Sequence, residues 1–202
     1  MSQSLPMDQP LRLLAISGSL RSASSNTTVL HALQASAPAG VIVSLYDGLG
    51  DLPYFNPDLD GETDTPPPSV GQLRTQIGQA DGLLISSPEY AHGVPGVLKN
   101  ALDWLVSSLE FPGKPVALIN ISPRSTFVHA SLSETLTTMS ASLIADPTFT
   151  IALPGKGMDV AGMLADPQIT QCLHAALDAF VRAVRMHHIN KRYFVPSITN
   201  TM

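Results

Sequence analysis

Short apolar runs recur along this chain, and longer segments of mixed polarity separate them. The runs are almost continuously apolar, which is typical of strands in a parallel sheet that helices cover on both faces. The predicted strands are residues 11–16 (LRLLAI), 41–45 (VIVSL), 82–85 (GLLI), 115–121 (PVALINI) and, with a weaker pattern, 148–153. The pattern therefore predicts a parallel sheet of five strands.

The segments between these runs carry their apolar residues at helical spacing. Residues 26–37, 95–109 and 169–184 each place theirs on a single stripe. Strands that alternate with helices in this way define a doubly wound α/β domain. We expect this domain to span residues 11–186, after a flexible N-terminal segment of residues 1–10.

Two segments depart from the alternation. Residues 47–68 contain five prolines, too many for regular structure. A loop of this length inside a compact domain is typically functional or part of an interface. Residues 187–202 follow the last predicted helix and form a locally basic C-terminal tail. Two interpretations of the tail stay open, namely docking on a partner subunit and mobility.

The amino-acid composition indicates whether the protein forms an oligomer. The chain has 202 residues, which fits a single domain. Charged residues make up 13% of it, whereas globular domains typically contain about 25%. A chain with so few charges is expected to bury weakly charged surface in a homo-oligomer. The alternative is a monomer whose surface is covered by Ser and Thr.

Charge and hydropathy also exclude several classes of partner. The net charge of −5 argues against non-specific binding to nucleic acid, which requires a basic face. No apolar run reaches the roughly 18 residues of a membrane span, and the first ten residues lack the features of a signal peptide. Cys172 is the only cysteine, so there is neither a disulfide framework nor a Cys-based metal site. These observations predict a cytoplasmic protein without a metal, nucleic-acid or membrane partner.

The loop after the first strand is rich in hydroxyl groups. Residues 17–27 (SGSLRSASSNT) combine them with Arg21 and end at a predicted helix start. Backbone N–H groups at a helix N-terminus, together with hydroxyls and a guanidinium, form a phosphate site. The loop matches neither the P-loop nor the dinucleotide-binding motif. The alternative is a polar turn in which Ser25 or Asn26 is an ordinary helix N-cap.

The loops after the third and fourth predicted strands also carry residues suited to bind a ligand. Prolines and glycines stiffen residues 86–96, where Tyr90 is suited to contact a flat heterocycle. We interpret Glu89 as a helix cap or turn partner rather than an acid catalyst, and His92 as a loop histidine. Residues 122–126 (SPRST) form another polar link. Because the carboxyl ends of parallel strands share one edge, the three loops predict a site for a phosphorylated planar ligand.

Two of these loops carry recognisable signatures. The segment SGSLRSASSN resembles the GSLRxxSxN signature of the NADPH-dependent FMN reductases, and SPEYAHGVPGVLKNALDW resembles their PEYxxGxPGxLKNAxDW signature. LPYFNPDLD, at residues 52–60, is similar to a further segment of that family, and the resemblance extends over about residues 11–184. It implies an α/β, flavodoxin-like three-layer sandwich with a five-stranded parallel sheet in the order 2-1-3-4-5. It also implies bound FMN and a dimer or tetramer.

The resemblance further implies roles for individual residues. It assigns the FMN phosphate to Ser19, Arg21, Ser24, Asn26 and Thr27. It assigns the isoalloxazine ring, mainly through backbone contacts, to Pro88, Glu89, Tyr90 and Ala91. Ser122 matches the start of the family's third cofactor-binding loop. Substrate contacts are expected from Tyr90, Arg124 and Ser125. Residues 123–127 replace a link that is often glycine-rich in the family, and Ala91 stands where Asn is frequent, so the substrate pocket is expected to differ.

The implied function is that of an oxidoreductase. NAD(P)H would transfer a hydride to N5 of FMN and leave before an acceptor takes the electrons, which is a ping-pong mechanism. The acceptor would be a quinone, an azo dye, a free flavin or a metal oxyanion, and no catalytic side chain is required. The alternatives are an electron carrier of the flavodoxin type and a flavin-binding protein without turnover. The acceptor, the choice between NADPH and NADH, and the size of the oligomer stay open.

Overall fold

The computed structural model describes residues 9–61, 65–155 and 157–193, so residues 1–8 of the predicted flexible segment lie outside it. The strands are β1 (Leu11–Ser17), β2 (Val41–Tyr46), β3 (Gly82–Ser86), β4 (Pro115–Ile119) and β5 (Ser142–Leu143). The helices are α1 (Ser25–Ala35), α2 (Pro68–Gln79), α3 (Gly96–Asp103), α4 (Thr126–Thr138), α5 (Val160–Ala165) and α6 (Pro167–Tyr193). The strands form one parallel sheet in the order β2-β1-β3-β4-β5.

The core lies on both faces of this sheet, because successive strand residues point to opposite sides. In β1, Leu13 and Ala15 pack with α1, α5 and α6, whereas Leu14 and Ile16 pack with α2, α3 and α4. All four side chains are buried. This is the predicted three-layer, flavodoxin-like sandwich. Its strand order reverses between β1 and β3, where the carboxyl ends of the strands leave a crevice for a ligand.

The fifth strand differs from the prediction. β5 has two residues and pairs with the start of β4. Within the predicted strand 148–153, Thr150 forms an isolated bridge with Asn120. Between these two contacts the chain leaves the sheet and makes a 3-10 turn at Pro147–Phe149, whose proline has no N–H to donate to a strand ladder. β4 also ends two residues earlier than predicted, at Ile119.

The helices also differ from the prediction in extent. α3 ends at Asp103 rather than at residue 109, because the chain then turns to bury Trp104 and Phe111. The described residues also include α2, α4 and α5, for which no separate helix was predicted. The alternation of strands and helices is confirmed, although the boundaries of single helices are not.

α6 continues beyond the predicted end of the domain. Residues 187–193 are helical rather than part of a tail beyond the helix. The prediction stopped early because the apolar stripe ends near Val184. The rest of the predicted tail, residues 194–202, lies outside the described residues. Although α6 is 27 residues long, no helix in the described parts of the chain is long and apolar enough to cross a membrane.

Candidate functional site

Loops from three parts of the chain surround one cleft at the carboxyl ends of β1 and β3. Its volume is about 490 Å³, within the range of small-molecule sites. The lining residues are Gly18, Leu20, Arg21, Tyr54, Tyr90, Pro95, Gly96 and Val97. Of the residues predicted for a ligand site, Arg21 and Tyr90 therefore line the cleft. Tyr54 was not predicted, although it lies within the LPYFNPDLD segment.

Hydroxyl groups hold the loop between β1 and α1 in place. Ser17 Oγ lies 2.8 Å from Thr27 Oγ1, and Ser19 Oγ accepts a hydrogen bond of 3.3 Å from the Arg21 N–H. Ser24 Oγ accepts from the Thr27 N–H at 3.4 Å, so the N-cap of α1 is Ser24 rather than Ser25 or Asn26. The first turn of α1 contains no acidic residue. The positive end of the helix dipole is therefore free of a local countercharge.

Asn26 is buried and joins α1 to the sheet. Its Oδ1 accepts a hydrogen bond of 2.9 Å from Ser86 Oγ. Ser86 Oγ also lies 3.1 Å from the Ile119 carbonyl oxygen. The amide oxygen of Asn26 is thus used inside the protein. Ser24 is buried as well, at 5% exposure, so the two residues hold the loop between β1 and α1 from the protein interior.

Gly18 permits two loops to come into close contact. Its N–H donates to the Ser86 carbonyl oxygen at 2.8 Å. A Cβ atom at Gly18 would lie 2.6 Å from Ser87 Oγ, which is closer than real Cβ contacts. The absence of a side chain at Gly18 therefore lets the loop after β1 pack directly against the residues that follow β3.

The loop between β3 and α3 contains a tight turn with unusual backbone angles. Tyr90 and Gly93 exchange two backbone hydrogen bonds of 3.2 and 2.9 Å. Between them, Ala91 and His92 have φ angles of +48° and +57°, as in a two-residue type I′ turn. Each non-glycine residue in this region costs about 1–3 kcal/mol and is held there by its surroundings. The turn leaves half of the Tyr90 side chain exposed at the cleft.

Glu89 caps a different helix. Its Oε2 accepts hydrogen bonds of 2.9 Å from the Phe127 N–H and 3.0 Å from the Val128 N–H, at the start of α4. This confirms the interpretation of Glu89 as a cap. The His92 ring stacks on the Phe127 ring, with 4.1 Å between centroids and 14° between planes. The Tyr90 turn and the first turn of α4 are therefore joined by two separate contacts.

The link between β4 and α4 lies beside this junction. Ser122 accepts a hydrogen bond of 3.3 Å from the Arg124 N–H through its Oγ, and its own N–H donates to Asn120 Oδ1 at 3.0 Å. Arg124 is exposed and Ser125 is half-buried. None of these three predicted residues lines the 490 Å³ cleft. They lie on the α4 side of the Tyr90 turn instead.

The proline-rich loop after β2 is held against α3. The Pro53 carbonyl oxygen accepts hydrogen bonds from Asn100 Nδ2 at 2.9 Å and from Trp104 Nε1 at 2.8 Å. The Phe55 N–H donates to Asn100 Oδ1 at 2.8 Å. Two 3-10 turns lie within the loop. These contacts present Tyr54 at the cleft with 92% of its surface exposed.

An ion pair fixes the far end of the same loop. Arg74 Nη2 donates to both carboxylate oxygens of Asp60 at 2.8 and 2.7 Å, and to the Trp104 carbonyl oxygen at 2.6 Å. Ser107 Oγ also donates to Asp60. The hydrogen bonds from Arg74 hold the pKa of Asp60 below its ordinary value. Asp60 is therefore a structural carboxylate and remains ionised at neutral pH.

The donors around the cleft fit an FMN-sized ligand. Arg21 supplies a guanidinium at the end of the loop that leads into α1, where Ser19 and a helix N-terminus without acidic residues can hold a phosphate. The exposed rings of Tyr54 and Tyr90 border space for a planar group. Fold and site together define a flavodoxin-like protein that binds a phosphorylated planar cofactor.

Comparison with known proteins identifies the family. The model of the NADPH-dependent FMN reductase family matches residues 11–154, and the chain belongs to this family. An NAD(P)H-dependent FMN reductase of Pseudomonas aeruginosa is 33% identical over 184 residues, which cover 89% of this chain and 98% of the relative. A quinone reductase of Escherichia coli is 40% identical over 114 residues, which cover 55% and 60%. The flavoenzyme FerB, an NAD(P)H:(acceptor) oxidoreductase from Paracoccus denitrificans, superposes with a TM-score of 0.76 at 30% identity, covering 88% of this chain and 98% of FerB.

These findings confirm the family resemblance drawn from the two loop signatures. The protein is an FMN-dependent NAD(P)H reductase, with FMN and a nicotinamide nucleotide as its cofactors. The matched region includes all three loops at the carboxyl edge of the sheet.

Proposed function

We propose that this reductase passes electrons from NAD(P)H to small planar acceptors of the quinone class. The observation that carries the proposal is the cleft between Arg21 and Tyr90, which brings a phosphate-type loop and an aromatic turn to one ligand-sized space. The similarity to a quinone reductase over 114 residues favours quinones. Azo dyes, free flavins and metal oxyanions are the other acceptors to be assayed with the protein.

The loop between β1 and α1 would hold the FMN phosphate. Arg21 and Ser19 would contact it directly, and the first N–H groups of α1 would add hydrogen bonds and the helix dipole. Ser24 and Thr27 would act by holding the loop, since their hydroxyls already bind within it. Asn26 would fix α1 against β3 from the core.

The loop between β3 and α3 would hold the flavin ring. Pro88, Glu89, Tyr90 and Ala91 would line it mainly through their backbone, because the tight turn presents main-chain groups on a rigid frame. FMN supplies the chemistry, which is to accept a hydride from the nicotinamide and to pass the electrons on. The protein residues bind, orient and exclude water.

No side chain has to act as an acid or a base. The Glu89 carboxylate is engaged with two backbone N–H groups, and the His92 ring is stacked on Phe127. Tyr90 and residues 122–127 would border the space for substrates. Arg124 and Ser125 would be the polar groups there, and Arg124 is exposed and free to meet the phosphates of a nicotinamide nucleotide.

The proposal also predicts the order of substrate binding. A single flat flavin with one open face, bordered by Tyr90 and residues 122–127, would accept one planar partner at a time. NAD(P)H and the acceptor would then alternate in the same place. Steady-state rates should give parallel double-reciprocal lines, as in a ping-pong mechanism.

Three measurements test the proposal in sequence. The purified protein should show a flavin absorbance spectrum after reconstitution with FMN. Anaerobic NADPH or NADH should bleach that absorbance, and 1,4-benzoquinone should restore it. A protein that binds FMN but is not bleached would be a non-catalytic flavin protein, and one that is bleached but reduces no small acceptor would be an electron carrier. Converging double-reciprocal lines would contradict the shared space.

A further inference from the structure

The first turn of α4 takes its cap from a distant part of the chain. A helix begins with N–H groups that have no partner within the helix, and a nearby side chain usually accepts from them. In α4 the preceding residue, Ser125, makes no such bond, and the first turn contains no acidic residue. Glu89, 38 positions earlier than Phe127, accepts from the N–H groups of Phe127 and Val128 instead. The position of this helix start therefore depends on the loop after β3.

A second contact links the same two segments from the solvent side. His92 lies in the tight turn with a positive φ, and its ring stacks on Phe127, which is 52% exposed. The stack cannot persist if the turn moves away from α4. Because the turn also carries Tyr90, movement of α4 and movement of Tyr90 are coupled through both contacts.

We propose that Glu89, His92, Phe127 and Val128 form a clasp that sets which planar acceptors the reductase admits. The clasp would hold the turn that carries Tyr90 against α4, and so would fix the position of the Tyr90 ring at the edge of the cleft. This inference rests on the proposed function. Glu89 acts in it as a positioning residue, since its carboxylate oxygen accepts from two N–H groups of α4. A Tyr90 ring held in one place would favour small flat quinones of one or two rings over larger acceptors, which need that edge of the cleft to move.

Variants of Glu89 separate positioning from other roles. Glu89→Ala removes both hydrogen bonds to α4. Glu89→Gln keeps an amide oxygen that can accept from the same N–H groups, so it should restore much of the wild-type behaviour without the charge. Glu134→Ala is a matched control, because Glu134 is an exposed carboxylate on the same helix.

The stack supplies an independent test of the same coupling. His92→Ala and Phe127→Ala each remove it, and the double variant should be little worse than either single one. Residues that act through one contact show such non-additivity, whereas independent residues add.

The first readout needs no enzyme turnover. Amide hydrogen exchange of Phe127 and Val128 should become faster by about tenfold in Glu89→Ala, since each N–H loses a hydrogen bond to a charged acceptor. Exchange should stay near the wild-type rate in Glu134→Ala and be intermediate in Glu89→Gln. The affinity for FMN, measured by quenching of its fluorescence, should change less than the acceptor KM does.

The second readout is acceptor preference. KM and kcat are measured with 1,4-benzoquinone, 1,4-naphthoquinone and anthraquinone-2-sulfonate. In Glu89→Ala the KM for benzoquinone should rise by about fivefold or more, since misplaced binding groups lose orientation, and the preference should shift toward the three-ring acceptor. Gln at position 89 should reverse most of this shift.

The outcomes distinguish the clasp from the function it serves. Unchanged exchange at the two amides, or an unchanged order of acceptors in Glu89→Ala, would overturn the clasp while quinone reduction stands. Equal defects in the Ala and Gln variants would indicate a direct ligand contact and would overturn the positioning role. A wild-type protein that binds no FMN or reduces no quinone would overturn both proposals.

Discussion

Replacement of Arg74 by methionine tests how the loop after β2 is held at the cleft. Arg74 binds both oxygens of Asp60 and the Trp104 carbonyl oxygen, and the two charged side chains are only 15% and 7% exposed. Methionine keeps the apolar stem and removes every one of these donors. The Asp60 carboxylate would then retain the Ser107 hydroxyl as its hydrogen-bond donor among the described side chains.

The expected loss of stability in Arg74→Met follows from the hydrogen-bond partners that Asp60 loses. Breaking a buried ion pair by removing one member costs about 3–5 kcal/mol, because the other charge stays desolvated. This pair keeps some contact with solvent, which lowers the expectation to about 2–3 kcal/mol in the free energy of unfolding. Urea denaturation at pH 7 measures it as a shift of the midpoint. Arg185→Met, at an exposed position on α6, is the control.

The contribution of the Arg74–Asp60 ion pair to stability should also depend on pH in a definite direction. Arg74 lowers the pKa of Asp60 in the folded protein, so the stabilisation is fully present above the ordinary carboxyl pKa and is lost as the pH falls through the lowered value. The stability gap between wild type and Arg74→Met should therefore be full at pH 7 and shrink below about pH 4. A gap under about 1 kcal/mol at pH 7, or one that widens toward acid, would refute this account of the ion pair.

Two further predictions concern the cofactor and the assembly. Arg21→Ala should weaken FMN binding by about 1.5–3 kcal/mol, the contribution of a hydrogen bond to a charged group, and should leave riboflavin, which has no phosphate, unaffected; equal FMN affinities would place Arg21 outside the phosphate site. The low charge content and the exposed Tyr54 and Leu109, at 92% and 93%, predict a dimer or tetramer in which a second subunit helps to wall the cleft. Light scattering at micromolar concentration measures this, and a monomer with full reductase activity would exclude it.

The sheet could be predicted mainly because three of its strands, β1, β3 and β4, are buried on both faces over most of their length, whereas exposed residues alternate with buried ones in β2. Such strands read as continuous apolar runs, and the run at β3, for example, is fully buried. β5 has two residues at the sheet edge, both half-buried, so no run marks it. The apolar segment around Ile151 is buried instead, beside the end of β4. Its apolar pattern resembles that of a strand, and for this reason the fifth strand was predicted there rather than at β5.

The site could be predicted less completely, because its contacts join distant segments. The sequence indicated that Glu89 is a cap or a turn partner, yet it could not indicate that the helix concerned is α4, where Phe127 lies 38 residues away. Asn26 matches a phosphate-loop signature, although its amide oxygen binds Ser86 in the core. Tyr54 lies in a segment without strand or helix periodicity, so only its hydrogen-bonded neighbours place it at the cleft.

The long signature after β3 acts mainly as a junction between elements. Glu89 binds the start of α4, while Asn100 and Trp104 bind Pro53 in the loop after β2. Tyr90 faces the cleft from the same motif. In the proposed function the motif would therefore hold the segments around the flavin in place, and we expect the residues that distinguish one acceptor from another to lie on those segments, around Tyr54 and along residues 122–127.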